Sequence, residues 1–208
     1  MSEAVALHNV NRERTRYYSD PMFHRPMTFR NRRIRATGVC LFLLCSLAFA
    51  ERPSEYQVKA VYLYNFGKFV NWPADAARSI DFDVCVLGTD PFGQLLDATV
   101  SDSTINGKRV VAKRIARAQD ASDCRIVFIA GSESPRLAGH LPVLNRLHVL
   151  TVSDNPHFLE RGGMIQFVFD GDRIRFAVNL TATQEAGLTL SSELLKVATK
   201  VIGNAPVR

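Results

Sequence analysis

Three groups of residues in this chain have side chains able to do chemistry, and none has the spacing of a familiar catalytic device. His140, His148 and His157 stand eight and nine residues apart, whereas zinc sites bring two ligands close together in sequence. They read as surface or internally satisfied histidines. Ser132, Asp154 and His157 offer the residue types of a hydrolytic triad, but any protein with several strand-to-helix turns offers such a trio. The chain has no G-x-S-x-G, H-E-x-x-H, G-x-x-x-x-G-K or C-x-x-C pattern. No catalytic residue, metal site or cofactor is expected. The second group is Thr89, Asp90, Ser132, Ser134, Ser153 and Asp154, each just after an apolar run. On a parallel sheet these loops converge at the carboxyl edge of the strands, where open α/β sheets hold ligands. They are helix caps or a small-molecule crevice. The third group is Arg173 and Arg175, alternating on one strand in a row that ends at Asn179. They guard a sheet edge or contact a partner, since Arg is enriched at interfaces.

The elements that must position these residues follow from the apolar pattern. Glu55 to Trp72 carries Val58, Val61, Tyr62, Asn65, Phe66 and Phe69 at helical spacing, which predicts a helix ended by Pro73 and packed through that stripe. Phe66, Phe69 and Trp72 read as core and not as an aromatic platform. Phe82 to Leu87, Arg125 to Ala130 and His148 to Val152 are short runs suited to buried strands. Each is followed by a turn that predicts a helix start, with Asp90 as N-cap before Pro91 in the first case. Gly107 to Ile115 is a strand with charge on one side. Ile165, Phe167 and Phe169, a turn at Asp170-Gly171, then Ile174, Phe176 and Val178 predict an antiparallel hairpin at a sheet edge. Its other face shows Gln166, Val168, Arg173, Arg175, Ala177 and Asn179. Ser191 or Ser192 caps a last helix with Leu194, Leu195, Ala198, Val201 and Ile202, ended by Gly203. The fold class is α/β: a single domain with a largely parallel sheet flanked by helices and a C-terminal antiparallel hairpin.

The first 50 residues read differently. Arg30, Arg32, Arg33 and Arg35 precede the uncharged apolar run Gly38 to Phe49, and Ala48-Phe49-Ala50 has the small-x-small form of a cleavage site. The run has roughly 12 residues against the ~20 of a membrane-spanning helix, so a secretory signal peptide and a mature start near Glu51 are expected. Met22 or Met27 would suffice as a start. Residues 1–50 hold eight arginines and three acidic residues, which leaves 18 basic and 17 acidic residues in 51–208. The exported domain is close to neutral, without the basic surplus that nucleic-acid binding draws on. Cys40 and Cys45 leave with the leader. Cys85 and Cys124 remain, in an oxidising compartment where disulfides persist; a bridge between them and two buried free thiols are both open.

Tyr62-Leu63-Tyr64-Asn65-Phe66-Gly67-Lys68-Phe69-Val70-Asn71-Trp72-Pro73 resembles the opening signature of the YfiR/HmsC family. Val84-Cys85-Val86-Leu87-Gly88 with Pro91-Phe92-Gly93, Gly162-Gly163-Met164-Ile165, Arg173-Ile174-Arg175-Phe176 with Asn179, and Gly187-Leu188 through Ser191-Ser192-Glu193-Leu194-Leu195 resemble it too, in the same order. The resemblance runs from about Glu55 to Gly203. The chain is thus expected to divide into an N-terminal extension and signal peptide over 1–50 and a YfiR-like α/β domain over 51–208. The resemblance implies an exported, dimeric, non-enzymatic protein that represses a membrane diguanylate cyclase by binding its periplasmic sensor region. The resemblance matches Cys85 and Cys124 to a family cysteine pair, and puts Leu159 and Gln166 where some relatives carry a second pair. On this view Arg173, Arg175 and Asn179 are the partner-binding residues. A periplasmic small-molecule binding module is the alternative, with an envelope hydrolase using Ser132 behind it.

Overall fold

The computed structural model describes residues 53–74 and 79–203. The expected leader and its cleavage site lie outside them. Helix α1 (Glu55–Phe69) starts where the Ser54 hydroxyl accepts from the Gln57 amide at 3.2 Å and stops where Val70 turns extended. It ends three residues short of the predicted Trp72 because Val70–Asn71 forms a short strand, β1. The strands that follow are β2 (Phe82–Leu87), β3 (Thr104–Ile105), β4 (Lys108–Ile115), β5 (Cys124–Ile129), β6 (Leu150–Ser153), β7 (Ile165–Asp170), β8 (Arg173–Asn179), β9 (Thr189–Leu190) and β10 (Lys200–Ile202). Between them lie helices α2 (Gln94–Val100), α3 (Leu137–Arg146), α4 (Leu180–Glu185) and α5 (Ser192–Val197).

Eight strands make one sheet in the order β10-β8-β7-β6-β5-β2-β4-β3; β1 and β9 form a separate antiparallel pair. Strands β4, β2, β5, β6 and β7 run parallel, and β7–β8 is the antiparallel hairpin. A parallel sheet is covered on both faces, and β2 from Val84 and β5 from Ile126 show it by alternation. Val84, Val86, Ile126 and Phe128 pack with Ala60, Leu63 and Phe66 of α1 and with Leu96 of α2. Cys85, Leu87, Val127 and Ile129 pack with Leu137, Leu141 and Leu144 of α3. The fold class expected from the pattern is the one observed.

Several local expectations are corrected. The buried face of α1 is Lys59, Ala60, Leu63, Phe66 and Gly67, while Val61 and Phe69 are exposed. The buried stripe lies a step around the helix from the expected one because it runs through Ala60 and Gly67, small residues that add little to an apolar pattern. Gly67 is needed there: a Cβ would lie 2.6 Å from Ile105 Cδ1 and 2.9 Å from Phe82 Cζ. Asp90 is not the cap of α2, whose N-cap is Gly93; Asp90 Oδ1 instead accepts from the Phe92 amide at 2.8 Å. After Ser153 the chain forms turns and no helix. That segment lies over the hairpin face expected to be solvated: the Asn179 side chain donates to Leu159 O, Gln166 Oε1 accepts from the Leu159 amide, and Ala177 is buried. The hairpin is not the sheet edge, since β10 pairs with β8 in parallel. Val201 and Ile202, predicted on the last helix, belong to that strand; the helix ends at Val197.

Candidate functional site

The carboxyl ends of β2, β5 and β6 bring the six loop residues to one edge of the sheet, as the parallel order requires. Gly88 there has φ +94°, and a Cβ on it would meet Ser132 Oγ at 2.6 Å, so the first two loops touch. The Thr89 amide donates to Ser132 Oγ at 2.9 Å. Ser153 is buried; its hydroxyl donates to Ile129 O at 2.7 Å and accepts from the Asn155 amide and side chain. Ser134 accepts from Arg161 through its carbonyl at 2.9 Å. Asp90 Oδ2 accepts from Arg114 Nε at 2.8 Å, and the same guanidinium reaches both oxygens of Asp97. Arg114 holds the Asp97 carboxyl below the usual range. These groups spend their hydrogen bonds on joining loops to one another.

Asp154 has a partner that the pattern did not reveal. Lys59, 1% exposed, reaches over from α1 so that its Nζ lies 2.6 Å from Asp154 Oδ2, and it also pairs with Glu55. The Tyr56 hydroxyl donates to the same Asp154 oxygen at 3.4 Å, and the Lys59 ammonium stands 4.6 Å from the Tyr56 ring centre. Burial disfavours the charged ammonium, yet the hydrogen bonds to Asp154 and Glu55 outweigh it, and the Lys59 pKa is raised. Lys59 lies on the same buried face as Ala60, Leu63 and Gly67, and its type alone does not mark it as buried.

The would-be triad is dispersed among other partners. His157 pairs with Glu160 at 2.5 Å and is exposed, while Ser132 and Asp154 are bound as described. His140 Nε2 lies 2.8 Å from Glu133 Oε2, and His148 Nδ1 lies 2.8 Å from Ala186 O. Glu133, buried beneath Gly88, also takes two bonds from Arg136. Arg136 first, and His140 after it, hold its carboxyl below the ordinary value against the effect of burial.

On the hairpin, Arg173 is exposed and stands opposite Asp170 in the strand register; Arg175 is half-buried opposite Val168. Asn179 is engaged internally, its Oδ1 accepting from the Ala182 amide to cap α4. Phe169 on the hairpin is 64% exposed. Between α1 and α5 lies an apolar groove of about 460 Å³, with Tyr62, Phe66, Phe69, Phe176, Leu194 and Val197 on its walls. Cys85 and Cys124 are disulfide-bonded with their Cα atoms 6.0 Å apart, joining neighbouring strands β2 and β5 on the α3 side of the sheet. Among the described residues, no helix is long and apolar enough to cross a membrane.

A sequence-family profile described as YfiR/HmsC-like matches residues 56–199. No curated protein matches the chain. Among solved structures, a conserved domain protein from Vibrio cholerae O1 biovar El Tor is similar at 13% identity with a TM-score of 0.52, over 72% of this chain and 60% of that one. A second, described as the ABC domain in complex with L-Trp from Streptococcus pneumoniae, has 11% identity and a TM-score of 0.48 over 69% of this chain and 62% of its own. The chain thus spans about three-fifths of the length of these structures. The first likeness is one of fold alone, and the second carries no argument.

Proposed function

Because this chain belongs to the YfiR/HmsC-like family, we propose that it is a periplasmic signalling regulator that binds the sensor region of an inner-membrane diguanylate cyclase and holds it inactive. Cyclic di-GMP inside the cell is then low while the regulator is bound. The observation that carries this reading is the family match, which covers nearly all of the described domain. Repression of this kind needs no bond making. It needs a binder that prefers the inactive sensor conformation, since equal affinity for both states shifts nothing. Arg173 and Arg175 are the proposed contact surface, arginine being a side chain that interfaces favour. Asn179 holds that surface in place from within. The regulator is a homodimer on this reading.

Two features weigh against the alternatives. A ligand crevice at Thr89, Asp90, Ser132, Ser134, Ser153 and Asp154 would compete with hydrogen bonds these groups already make. A hydrolase would need Ser132 and His157 together, and each has another partner.

The test is co-purification of a membrane cyclase from native envelopes by the tagged protein, together with cyclic di-GMP levels in a deletion strain. Higher cyclic di-GMP on deletion and capture lost in Arg173→Glu/Arg175→Glu, at unchanged melting temperature, are expected. A deletion strain with wild-type cyclic di-GMP would end this reading.

A further inference from the structure

Strands β2, β4 and β5 begin at the sheet edge opposite the loops discussed above, and there a cavity of about 170 Å³ opens beside β1. Its apolar walls are Val70, Phe82 and Ile105; its polar ones include Trp72, Lys108 and Arg125. Arg125 is present because of a β-bulge. Cys124 lies opposite Asp83 and Ile126 opposite Val84, so Arg125 is an extra residue on β5, and bulges of this kind re-aim a side chain. The extra residue reverses the alternation: Cys124 packs on the α3 side, while Arg125 stands with its guanidinium carbon 5.6 Å from the Trp72 ring centre.

Arg125 Nε and Nη1 and the indole Nε1 of Trp72 are all buried, and none has an acceptor among the described residues. Leaving such donors unmatched is costly, most of all for a charged group. Burial holds the arginine below its usual pKa, and among the described residues no carboxylate beside it restores it. Lys108 Nζ, donating to Ser79 O at 2.8 Å, adds a second positive charge, and among the described residues no acidic side chain lines the cavity. The donors therefore call for an anion, and the apolar walls call for a hydrocarbon part attached to it. At ~30 Å³ per water-sized group the space holds on the order of five or six such groups.

We propose that this cavity binds a small organic acid, whose carboxylate accepts from Arg125 and the Trp72 indole while its short hydrocarbon body rests on Val70, Phe82 and Ile105. The site is distinct from the proposed partner surface on the hairpin, and its test involves no cyclase.

Trp72 is the single tryptophan of the chain, so its emission reports on this cavity without a label. Purified protein is titrated with butyrate, with inorganic phosphate and chloride at matched ionic strength as comparators. A saturable change in Trp72 emission with butyrate, absent with chloride and weaker with phosphate, is expected. Arg125→Met should weaken it by roughly tenfold or more, the loss of one charge-assisted hydrogen bond. If Arg125→Met does not fold, as judged by loss of a cooperative melt, Arg125→Lys and Lys108→Met are read in its place, both with weakened binding. No saturable response to butyrate, an undiminished response in the variants, or an equal response to phosphate would overturn the assignment.

Discussion

Lys59 Nζ stands 2.6 Å from Asp154 Oδ2, so a buried ammonium on the second turn of α1 is held by the loop that leaves β6. Removing the acceptor strands the cation, whereas removing the cation along with its charge does not. Asp154→Ala is therefore expected to lower stability by about 1–3 kcal/mol, and by more than Lys59→Met. Urea unfolding of both variants checks the order; equal losses would mean that Glu55 alone satisfies the ammonium.

The same lysine gives an alkaline signature. Its folded pKa lies above the ordinary lysine value of 10.5, so its contribution is complete below about that pH and is lost as pH rises through the folded value. The alkaline fall in melting temperature should be shallower in Lys59→Met than in the native protein.

At the acid end the group to watch is Glu133, whose folded pKa Arg136 and His140 hold below the ordinary 4.5. A depressed carboxylate contributes stability that is present above its unfolded value and lost as pH falls through the folded one. Glu133→Gln should be less stable near neutrality and should lose less between about pH 5 and 3. Melting temperature against pH for both proteins decides it.

Opening the Cys85–Cys124 bridge releases a connection across a sequence separation of 39. The chain-entropy model puts its loss at roughly 4 kcal/mol. Cys85→Ala/Cys124→Ala is expected to fall short of the oxidised native protein by about 2–5 kcal/mol in guanidinium unfolding. Both residues are buried, 0% and 3% exposed, so mild reductant should act only slowly on the folded form.

Gly67→Ala sets helix propensity against space. Alanine gains about 1 kcal/mol in a helix interior, but its methyl would press on Ile105 and Phe82 well inside contact distance. Overpacking of that kind costs typically ~1–3 kcal/mol. A net loss of stability is expected, recovered in part by Ile105→Val.

What the sequence disclosed and what it concealed divide along physical lines. Strands β2 and β5 were legible because a doubly covered strand is a continuous apolar run, and the hairpin because Phe167, Phe176 and their neighbours alternate. The convergence of Thr89, Ser132 and Ser153 followed from parallel order alone. Lys59 was hidden because a buried lysine is indistinguishable from a surface one until its carboxylate, distant in sequence, is in view. Strand β10 was hidden for a related reason: Val201 and Ile202 continue the apolar spacing of Leu194 and Ala198, and only the place beside β8 makes them a strand. Arg125 is one residue inside an apolar run, and nothing local announces a bulge. The bridge between Cys85 and Cys124 needed the fold to decide it.

The pairing of β1 with β9 has one further outcome. Val70 meets Leu190, and the Ser191 amide donates to Phe69 O, so the base of the opening helix is clasped by a segment near the far end of the chain. No local contact can supply that clasp. The end of this helix is therefore held from two directions, by the sheet it lies on and by residues far from it in sequence.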